Sequence, residues 1–454
     1  MKLKGRASAD SSNPVRAGMS AVKKKIIVTL TGSALIICAF VGIEQKLPEQ
    51  KPIVLETVND QQPEEGKSAP FEVEAKGAVL IDADTGQVLF QQDSHKELPL
   101  ASVTKVMTML LVMEAADSGK ISLEDQVTIS ERAASMGGSQ MYMEVGEIHT
   151  VAELMKGVAM ASANDGCVAL AEYVAGSEEI FVERMNERAR ELGMRDTHFV
   201  NTNGLPVAEH YSSAYDIAVM SKELYRHEEV HTWFTTWQDT ITVGLPGKEK
   251  EFGLTNTNKL IRQYQGCDGI KTGFTSDAGY CLSASACRGD TRFIAVALGC
   301  ETSPKRNAEV AKMLDYGFAN YETTVVAEKG EVIKKVKVEI GTPQEVQAVA
   351  AEKITVLTEK GSSGDIKSKV KLNDNVPLPL KKGDEVGKLF IYRGDEKIAE
   401  YSLAADRDVK KASFGELMSR LFNRIFYIRK KKNQIYGKEA VRWEKSVQGE
   451  KSIS

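Results

Sequence analysis

The apolar residues of this chain change their spacing several times, and each change marks an element. Ile26 to Ile43 is an uncharged apolar run behind Lys23, Lys24 and Lys25. A basic flank before a hydrophobic stretch predicts an export signal, and the run has about the minimum length of a membrane span. Positive charge ahead of it holds that end in the cytosol and sends the rest outside. No small-x-small cleavage site follows, so residues 1–43 read as a signal peptide or a retained signal anchor. Cys38 follows Leu35-Ile36-Ile37 and not a small residue, which favours a membrane-facing side chain over a lipid attachment site. The basic region is long when counted from Met1 and ordinary when counted from Met19, so Met19 is a candidate start. Residues 44–70 are rich in Gln, Glu and Pro with no apolar period, the pattern of a flexible linker.

Gly77 to Phe90 alternates around Asp84-Thr85-Gly86, which predicts a hairpin. From near Ser102 to Met113 the chain is apolar almost all round, as in a buried central helix. Val151–Ala175 and Ile180–Leu192 also read as helical. Tyr280–Ser285 and Phe293–Leu298, separated by Arg288-Gly289-Asp290, predict a second hairpin. Strands, then helices, then strands point to an α+β domain over 71–321. Beyond it, Val336, Val338 and Ile340 alternate with charged residues. Short apolar stretches recur at Ile354–Leu357, Val376–Leu380 and Gly387–Ile391, which predicts a small all-β domain over 322–404. Arg-Gly-Asp occurs at 288–290 and 393–395, each time between apolar strands, and reads as turn chemistry. Phe414, Leu417, Met418, Leu421, Phe422 and Ile425 then recur at helical spacing beside Arg420, Arg424, Arg429 and Lys430–Lys432. An apolar stripe flanked by basic residues over 405–432 predicts a helix lying on an anionic membrane surface, with docking on the β domain as the alternative. Residues 433–454 form a polar tail.

Composition narrows the function. The 454 residues suffice for about three domains. A net charge of −4 argues against a dedicated nucleic-acid binder. Six Cys are too few for a disulfide scaffold, and no C-x-x-C occurs. With six His, histidine chemistry has few places to reside.

Ser102 and Lys105, three apart at the start of the buried helix, share a face. A desolvated ammonium loses proton affinity, so a buried Lys beside a Ser hydroxyl is a base–nucleophile pair that needs no His. The plain alternative is an N-cap Ser with a surface Lys, and the apolar helix argues against it. S-x-x-K alone is weak, with roughly two chance matches expected at average composition. Ser162-Ala163-Asn164 follows the apolar segment Leu154–Met160, at a helix end or in an inter-helix loop. Lys271-Thr272-Gly273 lies just ahead of the second hairpin, where a strand would begin. K-T-G has roughly a tenth of a chance match in such a chain. The three motifs in this order are the combination associated with penicillin-binding proteins and class A β-lactamases.

With these motifs the chain resembles the low-molecular-mass penicillin-binding proteins that are serine-type D-Ala-D-Ala carboxypeptidases, peptidase family S11. Gly138–Tyr142, Thr197–Asn201, the β domain and the amphipathic tail belong to the same likeness. The resemblance implies a penicillin-binding/β-lactamase-like transpeptidase fold, an antiparallel sheet with helices. It implies Ser102 as acyl-ester nucleophile, Lys105 as general base, and Ser162 and Asn164 holding substrate and relaying a proton. Lys271, Thr272 and Gly273 would bind the terminal carboxylate with Arg306 as a second contact. The N–H groups of Ser102 and Phe274 would form the oxyanion hole. The substrates implied are peptidoglycan stem peptides ending in D-Ala-D-Ala, with β-lactam antibiotics as acylating agents, the outer face of the cytoplasmic membrane as the workplace, and no cofactor or metal. Gly166-Cys167 depart from the family pattern, where Ala is more usual.

Two rivals remain. A class A β-lactamase needs a Glu with Asn four residues on between the second and third motifs, and no E-x-x-L-N occurs there. A catalytically dead peptidoglycan-binding scaffold is expected to lack Ser102 or Lys105, and both are present. His198 and His210 read as structural, Asp165 as a helix-capping group, and Cys167, Cys281 and Cys300 as buried thiols, with a disulfide open in an oxidising exterior.

Overall fold

The computed structural model describes residues 71–362, 366–373 and 376–427. The apolar run 26–43, the linker 44–70, Lys430–Lys432 and the tail 433–454 lie outside the described residues. Among those described, no helix is long and apolar enough to cross a membrane.

The expected hairpin forms from β1 (Gly77–Asp82) and β2 (Val88–Gln92). Asp82 closes its turn, accepting the Thr85 N–H at 2.8 Å and the Thr85 hydroxyl at 2.6 Å. Three longer strands follow late in the domain: β3 (Cys267–Thr275), β4 (Gly279–Arg288) and β5 (Thr291–Cys300). They join the hairpin in one antiparallel sheet of order β2-β1-β5-β4-β3. Lys271-Thr272-Gly273 therefore sits in the middle of a strand, not at its beginning. That strand is an edge of the sheet, bonded to β4 on one side alone.

Helices cover both faces. The 3₁₀ turn Ala101–Thr104 leads into α1 (Lys105–Asp117), which is buried without interruption from Lys105 to Leu110. The helical stretch after Thr150 divides into α2 (Val151–Met160) and α3 (Asn164–Ala175). A capping box between Thr150 and Glu153 starts the first, and Ser162, at φ +63°, breaks the pair. Then come α4 (Glu178–Glu191), α5 (Ala214–Tyr225) and α6 (Ser303–Asn320). Alternate strand residues enter different cores. Val79, Ile81, Ile294 and Val296 pack with the helices α1 to α5, while Ala78, Leu80, Phe293 and Ala295 pack with Val310, Met313 and Leu314 of α6. The result is three layers, helix–sheet–helix.

The all-β part begins as α6 ends. β6 (Tyr321–Ala327) precedes β7 (Val332–Lys337), β8 (Glu345–Ala350), β9 (Ile354–Glu359), β10 (Ile366–Leu372), β11 (Glu385–Arg393) and β12 (Glu396–Ala405). β6 pairs with β9, and the others form a sheet of order β7-β8-β12-β11-β10 over a separate core. Val376–Leu380 contributes no strand, because Pro377 and Pro379 cannot donate to a ladder. Leu380 alone makes a bridge, to Val409. Both Arg-Gly-Asp segments are tight turns, with Gly289 and Gly394 at positive φ.

A helix over 414–427 follows. Ser413 and Glu416 cap it reciprocally, the Ser413 N–H donating to Glu416 at 2.7 Å and the Glu416 N–H to Ser413 Oγ at 3.3 Å. Arg420 docks it on the β domain, donating to Gly341 O and Thr342 Oγ1, each at 2.9 Å. Phe414, Leu421, Phe422 and Ile425 remain exposed.

Candidate active site

Ser102 lies in the turn that enters α1, one residue after Ala101, whose φ of +48° is unusual for a residue with a side chain. Two glycines pack their backbones against this turn. A Cβ on Gly204 would stand 1.8 Å from Ala101 O. One on Gly273 would stand 2.8 Å from Leu100 O and 3.1 Å from Ser102 N. The free edge of β3 is thereby brought against the nucleophile turn, and a larger residue at either position would push the two apart.

Lys105 is fully buried, and its ammonium donates three hydrogen bonds: to Ser102 Oγ at 2.9 Å, to Asn164 Oδ1 at 2.7 Å and to Asn203 O at 2.6 Å. Burial pulls its pKa down to about 8, partly opposed by Cys167 and Asp165. The neutral amine, able to accept a proton, is thus far more accessible near neutral pH than for an exposed Lys.

Asn164 opens α3 and bridges the site, its Nδ2 donating to Gly137 O at 2.7 Å. Ser162, in the break before that helix, is buried, and its Oγ has no hydrogen-bond partner among the described residues. A buried hydroxyl without a partner costs about 1–3 kcal/mol, and such groups gather where a ligand completes them. Asp165, expected as a helix cap, accepts the Met141 N–H at 2.9 Å as well as its own neighbour Gly166 N–H at 2.9 Å. It therefore fastens the loop 137–143 beside Asn164, and Ala163 is the N-cap. A Cβ on Gly166 would come within 3.2 Å of Val158 and 3.3 Å of Met141, a tight fit that needs a small adjustment.

On the opposite wall, Lys271 is buried and donates to Thr272 O at 3.0 Å. Its pKa is held well below the usual Lys value, by burial first and by the nearby charges of Lys105 and Arg306. Thr272 Oγ1 donates to Thr257 Oγ1 at 2.7 Å. Arg306, in the first turn of α6, is buried and held by Ser303 Oγ at 3.1 Å and Asn307 Oδ1 at 2.8 Å. Lys105 and Arg306 both act on Lys271, and a wall holding buried basic groups is suited to an anion. Phe274 is 54% exposed and rests on Tyr280, ring centroids 4.3 Å apart. A cavity of about 360 Å³ is lined by Ala101, Gly204, Leu205, His210 and Thr275.

All the candidate site residues except Phe274 are wholly or largely buried. Ser102, Lys105 and Asn164 are joined by direct hydrogen bonds. Asn203, Thr257 and Asp165 are site residues that motif reading missed. The cluster Asn201-Thr202-Asn203-Gly204 carries a turn signal, but nothing local marks the Asn203 carbonyl or Thr257 as part of the site. The described cysteines, Cys167, Cys267, Cys281, Cys287 and Cys300, are unpaired. Among the described residues no group of three or more His, Cys, Asp or Glu could hold a metal ion.

The chain is similar to known proteins over both domains. Residues 63–302 match the family model for D-alanyl-D-alanine carboxypeptidase, and residues 321–411 the model for the C-terminal domain of penicillin-binding protein 5. The chain is 48% identical to the D-alanyl-D-alanine carboxypeptidase DacF of Bacillus subtilis (strain 168), over 76% of this chain and 89% of that relative. It is 32% identical to the D-alanyl-D-alanine carboxypeptidase DacD of Escherichia coli (strain K12), over 78% of this chain and 92% of that one. The solved structure of penicillin binding protein 5 from Haemophilus influenzae superposes with a TM-score of 0.61 at 33% identity, covering 76% of this chain and 100% of that chain.

Proposed function

The chain belongs to the D-alanyl-D-alanine carboxypeptidase family of serine peptidases, and from that premise we propose how its cleft removes the terminal D-Ala from peptidoglycan stem peptides. Neutral Lys105 takes the proton of Ser102, and Oγ attacks the carbonyl carbon of the penultimate D-Ala. The backbone N–H groups of Ser102 and Phe274 receive the developing oxyanion, where preorganised donors are worth most. The C–N bond breaks, and the leaving amine gains its proton through Lys105 and the hydroxyl of Ser162. Water then attacks the acyl ester, with Lys105 again as base, and releases the shortened peptide. Lys271, Thr272 and Arg306 hold the terminal carboxylate, Asn164 orients the substrate amide, and Gly273 lets β3 approach. The observation that carries this reading is the 2.9 Å contact between fully buried Lys105 and Ser102 Oγ. Penicillins enter by the same attack and remain as an ester on Ser102.

The exposed apolar residues of the 414–427 helix support a second part of the proposal, that the enzyme lies on the outer face of the cytoplasmic membrane. The basic flank and apolar run near the N-terminus support export. Mass spectrometry of a D-Ala-D-Ala-ended peptide after incubation tests the activity. Loss of one D-Ala, together with a penicillin adduct on Ser102, is the expected result. A peptide left intact by a protein that folds would overturn the reading.

A further inference from the structure

We propose that His210 is a positioning residue for the reaction: as an Nε2-protonated imidazole it holds, through Thr104, the peptide unit between Ala101 and Ser102. The inference rests on Ser102 being the nucleophile, and it concerns a residue outside every motif that carried that assignment.

The hydrogen bonds run in one direction. The Val200 N–H donates to His210 Nδ1 at 3.0 Å, so that nitrogen carries no proton. The single proton of the neutral ring is then on Nε2, which lies 2.8 Å from Thr104 Oγ1. The Thr104 hydroxyl gives its own proton to Ala101 O at 2.8 Å, leaving a lone pair for the imidazole. Every donor meets an acceptor in this arrangement and in no other. The chain is largely shielded from water: Thr104 is fully buried, His210 is 8% exposed where it borders the cavity beside Ala101 and Leu205, and the Phe199 ring meets the imidazole edge-on at 5.9 Å. Burial brings the His210 pKa down to about 4, and the two ionisable neighbours that act on it, His198 and Lys105, push the same way.

The end of the chain is what matters. Ala101 O and the Ser102 N–H belong to one planar peptide unit, so turning the carbonyl turns the N–H with it. That N–H is the oxyanion donor in the proposed reaction. Ala101 is held at φ +48°, a conformation that persists only when its surroundings enforce it. Gly204 presses on the carbonyl by close backbone approach, and Thr104 with His210 supplies the hydrogen bond that fixes its direction.

The test separates acylation by a penicillin into the non-covalent Kd and the first-order acylation rate, per titrated active site. His210→Leu and Thr104→Val should each slow acylation about tenfold or more with Kd little changed, since a misdirected oxyanion donor weakens the transition state. The double variant should be no slower than the slower single one. His210→Gln, which offers one acceptor and one donor, should recover most of the rate. Acylation within twofold of the parent in both single variants, or additive losses in the double one, would overturn the proposal. Should the Leu variant fail to fold, ¹⁵N NMR of the parent decides: an acceptor-type Nδ1 and a protonated Nε2 at pH 7 support it, and the other tautomer overturns it. If the parent itself takes no label on Ser102, the fault lies with the assignment of the nucleophile.

Discussion

Lys105 and Asn164 are hydrogen-bonded side chain to side chain at 2.7 Å, and the same Asn amide donates at 2.7 Å to Gly137 O. The base is thus tied to the loop 137–143 by a neutral group. An amide accepts from the ammonium without stabilising it as a carboxylate would, so burial is left to dominate and the Lys105 pKa stays near 8.

Asn164→Asp exchanges that neutral acceptor for an anion. The acylation rate of the parent should rise with pH through about 8, because the reactive form is the deprotonated amine and it is lost as pH falls. With Asp at 164 the limb should move upward by about one pH unit or more, since an opposite charge in contact favours the ammonium. Acylation at pH 7 should fall on the order of tenfold and recover partly at high pH. A pH–rate profile of penicillin acylation checks this. A limb that stays near 8 would mean that another group removes the proton.

Ser102→Ala removes the acyl acceptor and one of the three hydrogen bonds of Lys105, leaving those to Asn164 and Asn203 to hold the ammonium. Covalent labelling by penicillin should disappear while far-UV circular dichroism is unchanged. A label mapped by mass spectrometry to another Ser in this variant would reassign the nucleophile.

Lys271 and Arg306 are mutually repelling cations in one buried wall, and a substrate carboxylate relieves that repulsion. A charge-assisted contact of this kind contributes about 1.5–3 kcal/mol. Amidating the C-terminus of the peptide should cost on the order of tenfold or more in kcat/KM for the parent. Lys271→Ala and Arg306→Ala should each be nearly indifferent to amidation. Variants that still prefer the free acid by the parental factor would place the carboxylate elsewhere.

The sequence exposed the parts of this site that are local. Ser102 with Lys105, Ser162 with Asn164, and Lys271–Gly273 are short motifs, and the helical and alternating periods around them set their elements. β4 and β5 were legible in outline from their apolar stretches, whereas β3 was expected to begin only at Lys271 and starts at Cys267. Asn203, Thr257 and His210 were illegible for a different reason. Asn203 contributes a backbone oxygen, which leaves no side-chain signature. Thr257 and His210 act on residues 15 and 106 positions away, a relation that only folding creates. Val376–Leu380 misled because its apolar content outweighed two prolines in the reading.

His210 also carries a stability consequence. Its pKa falls from 6.5 to about 4 on folding, so between those values the unfolded chain binds a proton that the native state refuses. Stability is then lost as pH falls from about 6.5, and the loss levels off below about 4, reaching on the order of 3 kcal/mol. Asp82 and Asp216, raised to about 6 by burial, act in the opposite sense, so the parent curve alone is a mixture. The difference between parent and His210→Gln isolates the histidine. Urea melts at pH 7 and pH 4.5 should show the variant losing less stability than the parent. Equal losses would mean that His210 is protonated alike in both states.

The last prediction concerns the helix over 414–427. Arg420 fixes it to the β domain, which leaves Phe414, Leu421, Phe422 and Ile425 facing outward, with Phe414 79% exposed. An apolar face of that kind needs a cover, and the Arg and Lys residues around it favour an anionic surface, each contributing about 1 kcal/mol near the lipid headgroups. Ala405 and Val409 belong to the core of the β domain, so a fair deletion must begin after Ala412. A chain from Glu44 to Ala412 should hydrolyse small D-Ala-D-Ala peptides at the rate of one from Glu44 to Ser454. Only the longer chain should sediment with vesicles rich in anionic lipid. Raising the salt should weaken that binding without abolishing it, because the apolar contribution survives screening. Leu421→Glu with Phe422→Glu should release the longer chain at low salt. Equal sedimentation of the two chains, or none by the longer one, would assign the exposed face to a protein partner instead of a membrane.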